Sequence, residues 1–162
     1  MVAGSYTALR EKKIGDSLSD SKIDIEIKKK LYAIDPKLYS DVSVVTDHGC
    51  VLLTGGVSNP DWSSAAEREA WKVDGVLEVN NHIYNEEVQL SQIVRDDFIT
   101  SVCRSALICN SDIRSVNYKI KTFGSVVYLL GVARTKEELE LVLSTVQKVS
   151  GVEKVVSYIK VL

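Results

Sequence analysis

Val42-Ser43-Val44-Val45-Thr46-Asp47-His48-Gly49-Cys50-Val51-Leu52-Leu53-Thr54 reads as two strand-forming runs folded about a turn. Val42 to Thr46 and Val51 to Thr54 are built almost wholly from Val, Leu and Thr, which suit a pleated, half-buried surface. Asp47-His48-Gly49 supplies the positive-φ position that a tight hairpin needs. Upstream, Ile23, Ile27, Leu31 and Ile34 recur at helical spacing until Pro36 forbids continuation. Downstream, Ser58-Asn59-Pro60-Asp61 joins a capping residue to a proline suited to a first turn, and Asp74-Gly75 closes the helix it opens. A last strand from Val76 to Tyr84 completes a helix, strand, strand, helix, strand unit.

The whole unit returns about seventy-five residues later, with single-residue shifts between blocks. Gly49 falls on Gly124, Gly56 on Gly131 and Gly75-Val76 on Gly151-Val152, while Ile23, Ile27 and Leu31 fall on Ile99, Cys103 and Leu107. The second copy has strands over Val116 to Lys121, Ser125 to Leu130 and Val152 to Val161. Its second helix opens on a capping box, Thr135 with Glu138, and lines one face with Leu139, Val142, Leu143, Val146 and Val149. The expected fold is therefore α+β: two tandem α-β-β-α-β modules, each a three-stranded mixed sheet with both helices packed on one face. The expected division is a flexible leader over 1–19, a first domain over 20–85, a join over 86–95 and a second domain over 96–162. Val88, Leu90 and Ile93 make the join a packing segment and not a Gly/Ser tether, so the modules should touch.

In 162 residues, 20 basic side chains face 22 acidic ones, which leaves no global positive field to hold nucleic acid by its phosphates. No apolar run approaches the roughly 20 residues of a membrane-spanning helix. Cys50, Cys103 and Cys109 form no CxxC pair and have no His at ligand spacing, so they read as free thiols with no metal or cofactor role. His48 and His82 lack a partnered nucleophile, with His48 reading as a solvated turn residue, and Gly55-Gly56 lacks the Lys-Ser/Thr of a phosphate loop and reads as a strand end. Lys28-Lys29-Lys30 reads as a solvated helix face, and Trp62 and Trp71 as core or inter-module residues. Nothing here can carry catalysis, and the chain reads as a non-enzyme.

Val51-Leu52-Leu53-Thr54-Gly55-Gly56-Val57 with Val73-Asp74-Gly75-Val76, and Val127-Tyr128-Leu129-Leu130-Gly131-Val132 with Val149-Ser150-Gly151-Val152, resemble the repeated pattern of the BON domain (bacterial OsmY and nodulation). The resemblance covers nearly the whole chain. Ile14-Gly15-Asp16 and Phe98-Ile99-Thr100 are most similar to two-domain members that are outer-membrane lipoproteins. It implies a non-catalytic periplasmic protein, associated with the outer membrane, that supports envelope integrity. It also implies binding of anionic phospholipid by the first helix of the second domain. A lipoprotein needs a signal peptide ending in a lipid-bearing Cys; none is seen, so the expectation is a chain that starts after the anchor site with an added Met1.

The duplication also provides an internal control, because positions where the copies differ are candidates for specialisation. Beside the core face of the first helix, copy one has Lys22, Glu26, Lys29 and Ala33; copy two has Phe98, Val102, Ser105 and Cys109. A charged flank has become a largely apolar one. In the BON resemblance Phe98 takes the place of an aromatic that enters the bilayer interface, and Arg104 that of a basic residue on the same helix. The candidate lipid-binding residues are therefore Phe98, Val102, Arg104, Ser105 and Cys109. Two other readings stand beside this one: Phe98 and Val102 pack against the first module or the join, or the same face docks a partner protein of the cell envelope.

Overall fold

A computed structural model describes the chain from Ile14 to Leu162, with side chains described from Ser19 onward; most of the expected leader, 1–13, lies outside the described residues. The first module runs α1 (Ile14–Ile34), α2 (Pro36–Asp41), β1 (Val42–Asp47), β2 (Cys50–Gly56), α3 (Trp62–Trp71) and β3 (Glu78–Tyr84). The second runs α4 (Leu90–Ile108), a 3-10 turn (Ser115–Asn117), β4 (Tyr118–Phe123), β5 (Val126–Ala133), α5 (Lys136–Gln147) and β6 (Lys154–Val161). α1 thus starts inside the stretch read as leader, and α4 starts inside the stretch read as join. Pro36 both ends α1 and opens α2, where its missing N–H costs nothing and the Asp35 carboxylate accepts from the Lys37 N–H at 2.7 Å.

In each module the central strand pairs antiparallel with the strand before it and parallel with the one after, in the orders β1-β2-β3 and β4-β5-β6. This is the mixed three-stranded sheet expected. One face of each sheet carries the helices. Ile23, Ile27 and Leu31 of α1 meet Val51 and Leu53 of β2, and Ile99, Cys103 and Leu107 of α4 meet Val127 and Leu129 of β5.

The repeat is more regular than the glycines suggest. Tyr118 stands 76 residues after Val42 and Gly131 76 after Gly55, and these residues pair with each other in the two sheets. Gly131 therefore corresponds to Gly55 and not Gly56, and Gly124 to His48 and not Gly49. Each hairpin needs two consecutive positive-φ residues: His48 (48°) and Gly49 (78°) in one, Gly124 (59°) and Ser125 (63°) in the other. Glycine fills the second place in one turn and the first in the other, which produces the apparent one-residue shift.

A buried carboxylate holds each of these turns. Asp20 of α1 accepts from the His48 N–H at 3.0 Å and the Gly49 N–H at 3.3 Å. Asp96 of α4 accepts from the Gly124 and Ser125 N–H groups at 2.8 and 2.9 Å. The first helix of each module is thereby tied to its hairpin by a charge-assisted pair. Asp96→Ala should lower stability by about 2 kcal/mol, since it strands two turn donors, and Asp96→Asn by less because one acceptor oxygen remains. Urea unfolding checks this; equal midpoints for wild type and Asp96→Ala would exclude the role.

The modules meet sheet on sheet. Strand residues of the opposite parity point away from the helices, and Cys50 and Leu52 of β2 close against Tyr128 and Leu130 of β5, flanked by Val45, Phe123, Val126, Val156 and Tyr158. The layers run helices, sheet, sheet, helices. β2 is consequently buried along its whole length on both faces, which explains its unbroken apolar run. Polar contacts rim this interface: His82 Nε2 lies 2.6 Å from the Tyr158 hydroxyl, Lys160 donates to Glu78 at 3.1 Å, and Tyr84 stacks on Phe123.

Several sequence expectations change. His48 is largely buried, with Nδ1 2.9 Å from the Asp47 carboxylate, because the turn folds back against α1. Lys28 is half-buried and donates to the carbonyls of Tyr39 and Val42, so it is not part of a solvated face. Trp62 packs on the first core, whereas Trp71, at the end of α3, is half-exposed.

Candidate functional site

α4 is amphipathic in an unusual sense: its inner face is core and its outer face is apolar as well. Ile99, Cys103 and Leu107 are buried, with Asp96, on one side. At about 100° per residue, the opposite side carries Leu90, Val94, Phe98, Ser101, Ser105 and Ile108, with Val102 at its edge. Leu90 is 73% exposed, Val94 61%, Phe98 69% and Val102 36%. Phe98 therefore does not pack on the first module or the join, and the intramolecular explanation for the apolar flank fails. The join meets the fold elsewhere, through Val88, which sits over Gly56.

The candidate residues fall out as follows. Phe98, Val102 and Ser105 share this outer face, and Cys109, exposed, caps the helix at its far end. Arg104 is exposed but stands about 120° round the helix from Phe98, at the border of the apolar face and not on it. Arg95, not singled out in the sequence, occupies the other border about 60° from Phe98. Leu90 and Val94 also enlarge the site. Their spacing of four with Phe98 and Val102 is visible in the sequence, but Leu90 reads there as a packing residue of the join because nothing marks the helix start: Gln89 makes no side-chain cap.

At the corresponding positions of α1, Lys22, Glu26 and Lys29 are charged, with Lys29 paired to Glu26 at 3.2 Å, while Ile25 and Tyr32 are apolar and exposed. The face of α4 has one acidic side chain, Asp97, at its margin. Its chemistry is that of a surface for apolar contact with cationic borders.

Elsewhere, reactive groups are quenched. Burial pushes the Cys50 thiol up to about 12 and the Cys103 thiol up to about 11, so neither offers a thiolate. Burial, and then Lys154, lower the His82 pKa, which favours the neutral ring against Tyr158. Among the described residues no group of three His, Cys, Asp or Glu could hold a metal ion, and no helix is long and apolar enough to cross a membrane.

The sequence matches the family model described as the BON domain twice, over residues 11–84 and 95–162. Among curated relatives, an uncharacterized protein of Anaplasma centrale from the gshII 5' region is 38% identical over 145 residues, which is 88% of this chain and 95% of that protein. Outer membrane lipoprotein DolP of Haemophilus influenzae is 28% identical over 150 residues, covering 92% of this chain and 76% of its own length. Osmotically-inducible protein Y of Escherichia coli is 26% identical over 161 residues, covering 98% and 80%.

Proposed function

Because the chain belongs to the BON-domain family and carries two copies of the domain, we propose that it is a non-catalytic protein of the bacterial envelope, periplasmic and associated with the outer membrane, that binds anionic phospholipid through α4. The division into two domains, expected over 20–85 and 96–162, belongs to the same reading, with α1 and α4 extending the first and second back to Ile14 and Leu90. The observation that supports the proposal best is the exposure of Phe98 and Val102 on the apolar face of α4, where copy one has Lys22 and Glu26. The likeness to DolP, by name an outer membrane lipoprotein, supports the compartment.

The energetics set the mode of contact. Burying Phe98 in the interface contributes about 1.5–3 kcal/mol, and Leu90 and Val94 add no more than that each. Arg95 and Arg104 each add about 1 kcal/mol against an anionic surface, with Asp97 opposing. The sum describes reversible contact that needs a second attachment, such as a lipid chain, to become stable.

Phe98→Glu should cut binding to vesicles containing phosphatidylglycerol at least tenfold while leaving the unfolding midpoint unchanged, because the side chain is mostly exposed already. Co-sedimentation with vesicles measures the first and circular dichroism the second. Val94→Glu should act in the same direction. Undiminished vesicle binding in both variants, or a pull-down of an envelope protein that survives detergent with no lipid response, would assign this face to another partner.

A further inference from the structure

A second feature lies at the junction of the modules. A cleft of about 530 Å³ opens between them, lined among others by Lys28, Thr54, Gly56, Lys121 and Ile93. We propose that it binds a single phosphate-type oxyanion, held between the ammonium groups of Lys28 and Lys121 with the Thr54 hydroxyl as a third donor.

Strand geometry aims the groups inward. Cys50 and Leu52 face the second sheet, so Thr54, two residues on, faces it too; Phe123 faces the first sheet, and so does Lys121 two residues before it. The Thr54 side chain is almost fully buried, yet its Oγ1 has no hydrogen-bond partner. Such a hydroxyl is costly to leave unsatisfied and normally finds an acceptor. The equivalent position in the second module is Leu130, so neither fold nor sheet packing demands a hydroxyl there.

The lysines are similarly poised. Lys28 Nζ is fixed by the carbonyls of Tyr39 and Val42, the latter at 2.6 Å, and sits 4.3 Å from the centre of the Tyr39 ring. Burial and then the charge of Lys121 lower its pKa, as expected for two cations facing one space. Lys119, two residues before Lys121 on the same face, is satisfied by the Thr46 carbonyl and the Asp20 carboxylate at 4.0 Å. Among the described residues Lys121 has no carboxylate within 4.0 Å. The cleft does hold acidic groups: Asp41 is paired with Lys37 at 2.7 Å, and Glu86 and Glu87 are exposed. They make the site weak and leave the Lys28 and Lys121 end cationic. Because Ile93 belongs to α4, the phosphate could be supplied either in free form or as a headgroup from a surface touching that helix.

An amide-resolved NMR titration of the full chain with inorganic phosphate, at ionic strength matched with chloride, tests this. Saturable shifts are expected at Thr54, Gly55, Gly56 and Lys121. Lys121→Gln should weaken binding at least tenfold. Thr54→Val should weaken it several-fold while melting no lower than wild type, since it removes a hydroxyl that has no partner without ligand. A parallel titration with short-chain phosphatidylglycerol below its micelle concentration separates the sources: cleft shifts with both probes or with phosphate alone assign a free anion as sufficient, and shifts with the lipid alone assign the headgroup. The absence of saturable cleft shifts with either probe, or a Lys121→Gln titration identical to wild type, would overturn the proposal. Phe98→Glu should leave the phosphate titration unaltered, so this site and the membrane face succeed or fail separately.

Discussion

Gly131→Ala should destabilise the second module by roughly 4 kcal/mol or more, the range in which backbone strain and lost packing combine. Gly131 has φ of +142°, and a Cβ there would lie 2.1 Å from the Asn117 carbonyl oxygen and 3.0 Å from the Tyr118 Cα. Both obstacles are backbone of the 3-10 turn and β4, so no rotamer change relieves them. The strand would have to move away from its partner and give up ladder hydrogen bonds between Tyr118 and Gly131. Gly55→Ala should do the same to the first module, where a Cβ would meet the Asp41 carbonyl oxygen at 2.2 Å. For a domain whose net stability is about 5–15 kcal/mol, either change removes a large part of it. Urea unfolding followed by circular dichroism gives the measurement, and a loss below about 1 kcal/mol would show that the close crossing of the strands is not required.

Glu138→Ala is expected to cost roughly 2–4 kcal/mol. Glu138 is buried at the start of α5, and its carboxylate accepts from the Arg134 Nε at 2.7 Å, the Arg134 Nη2, the Tyr118 hydroxyl, and the N–H groups of Arg134 and Arg114. Removing it deletes five hydrogen bonds to one buried carboxylate, from the Tyr118 hydroxyl, the Arg134 guanidinium and two backbone N–H groups. The figure is set below that of a fully buried pair because the Arg134 side chain is 42% exposed and can turn to water. Burial alone would raise the Glu138 pKa, but donation from Arg134 and Tyr118 and the backbone outweighs it and holds the carboxyl below the usual carboxylate range. A carboxyl depressed in the folded state releases its proton more readily there than in the unfolded chain. Its stabilisation is complete above the ordinary carboxylate pKa and is lost as pH falls through the lower folded value. Glu138→Gln should therefore flatten the acid limb of the stability profile. A Glu138→Gln profile parallel to wild type between pH 6 and 3 would assign acid sensitivity to other groups.

Glu138 also shows where a local motif falls short of its setting. Thr135 with Glu138 reads as a capping box, and half of it forms, with the Thr135 hydroxyl accepting from the Glu138 N–H at 3.1 Å. The carboxylate turns instead to Arg134, Arg114 and Tyr118, two of which are distant in sequence. Asp96 is a parallel case. It looks like one more helix-surface acid, and only the approach of the hairpin turn explains its burial. Its equivalence with Asp20, 76 residues earlier, was the available signal, obscured because the turn glycines suggest a different spacing.

The five elements that each module repeats, their order and their duplication were legible in the chain, since they follow from local periodicity, turn residues and glycine placement that act within a few residues; α2 and the early starts of α1 and α4 were not. The sequence also marked α4 as the divergent helix, because two copies of one module differ there in polarity. Which surfaces remain free depends instead on how distant segments pack. Each sheet carries apolar side chains on both faces, and the sheets cover one another through Leu52, Tyr128 and Leu130. That packing leaves the outer face of α4, with Leu90, Val94 and Phe98, facing solvent, and brings Lys28, Thr54 and Lys121 to one cleft. Hydrophobicity tells a residue to be buried but not against what, and the partner is settled only when distant segments compete for the same surface.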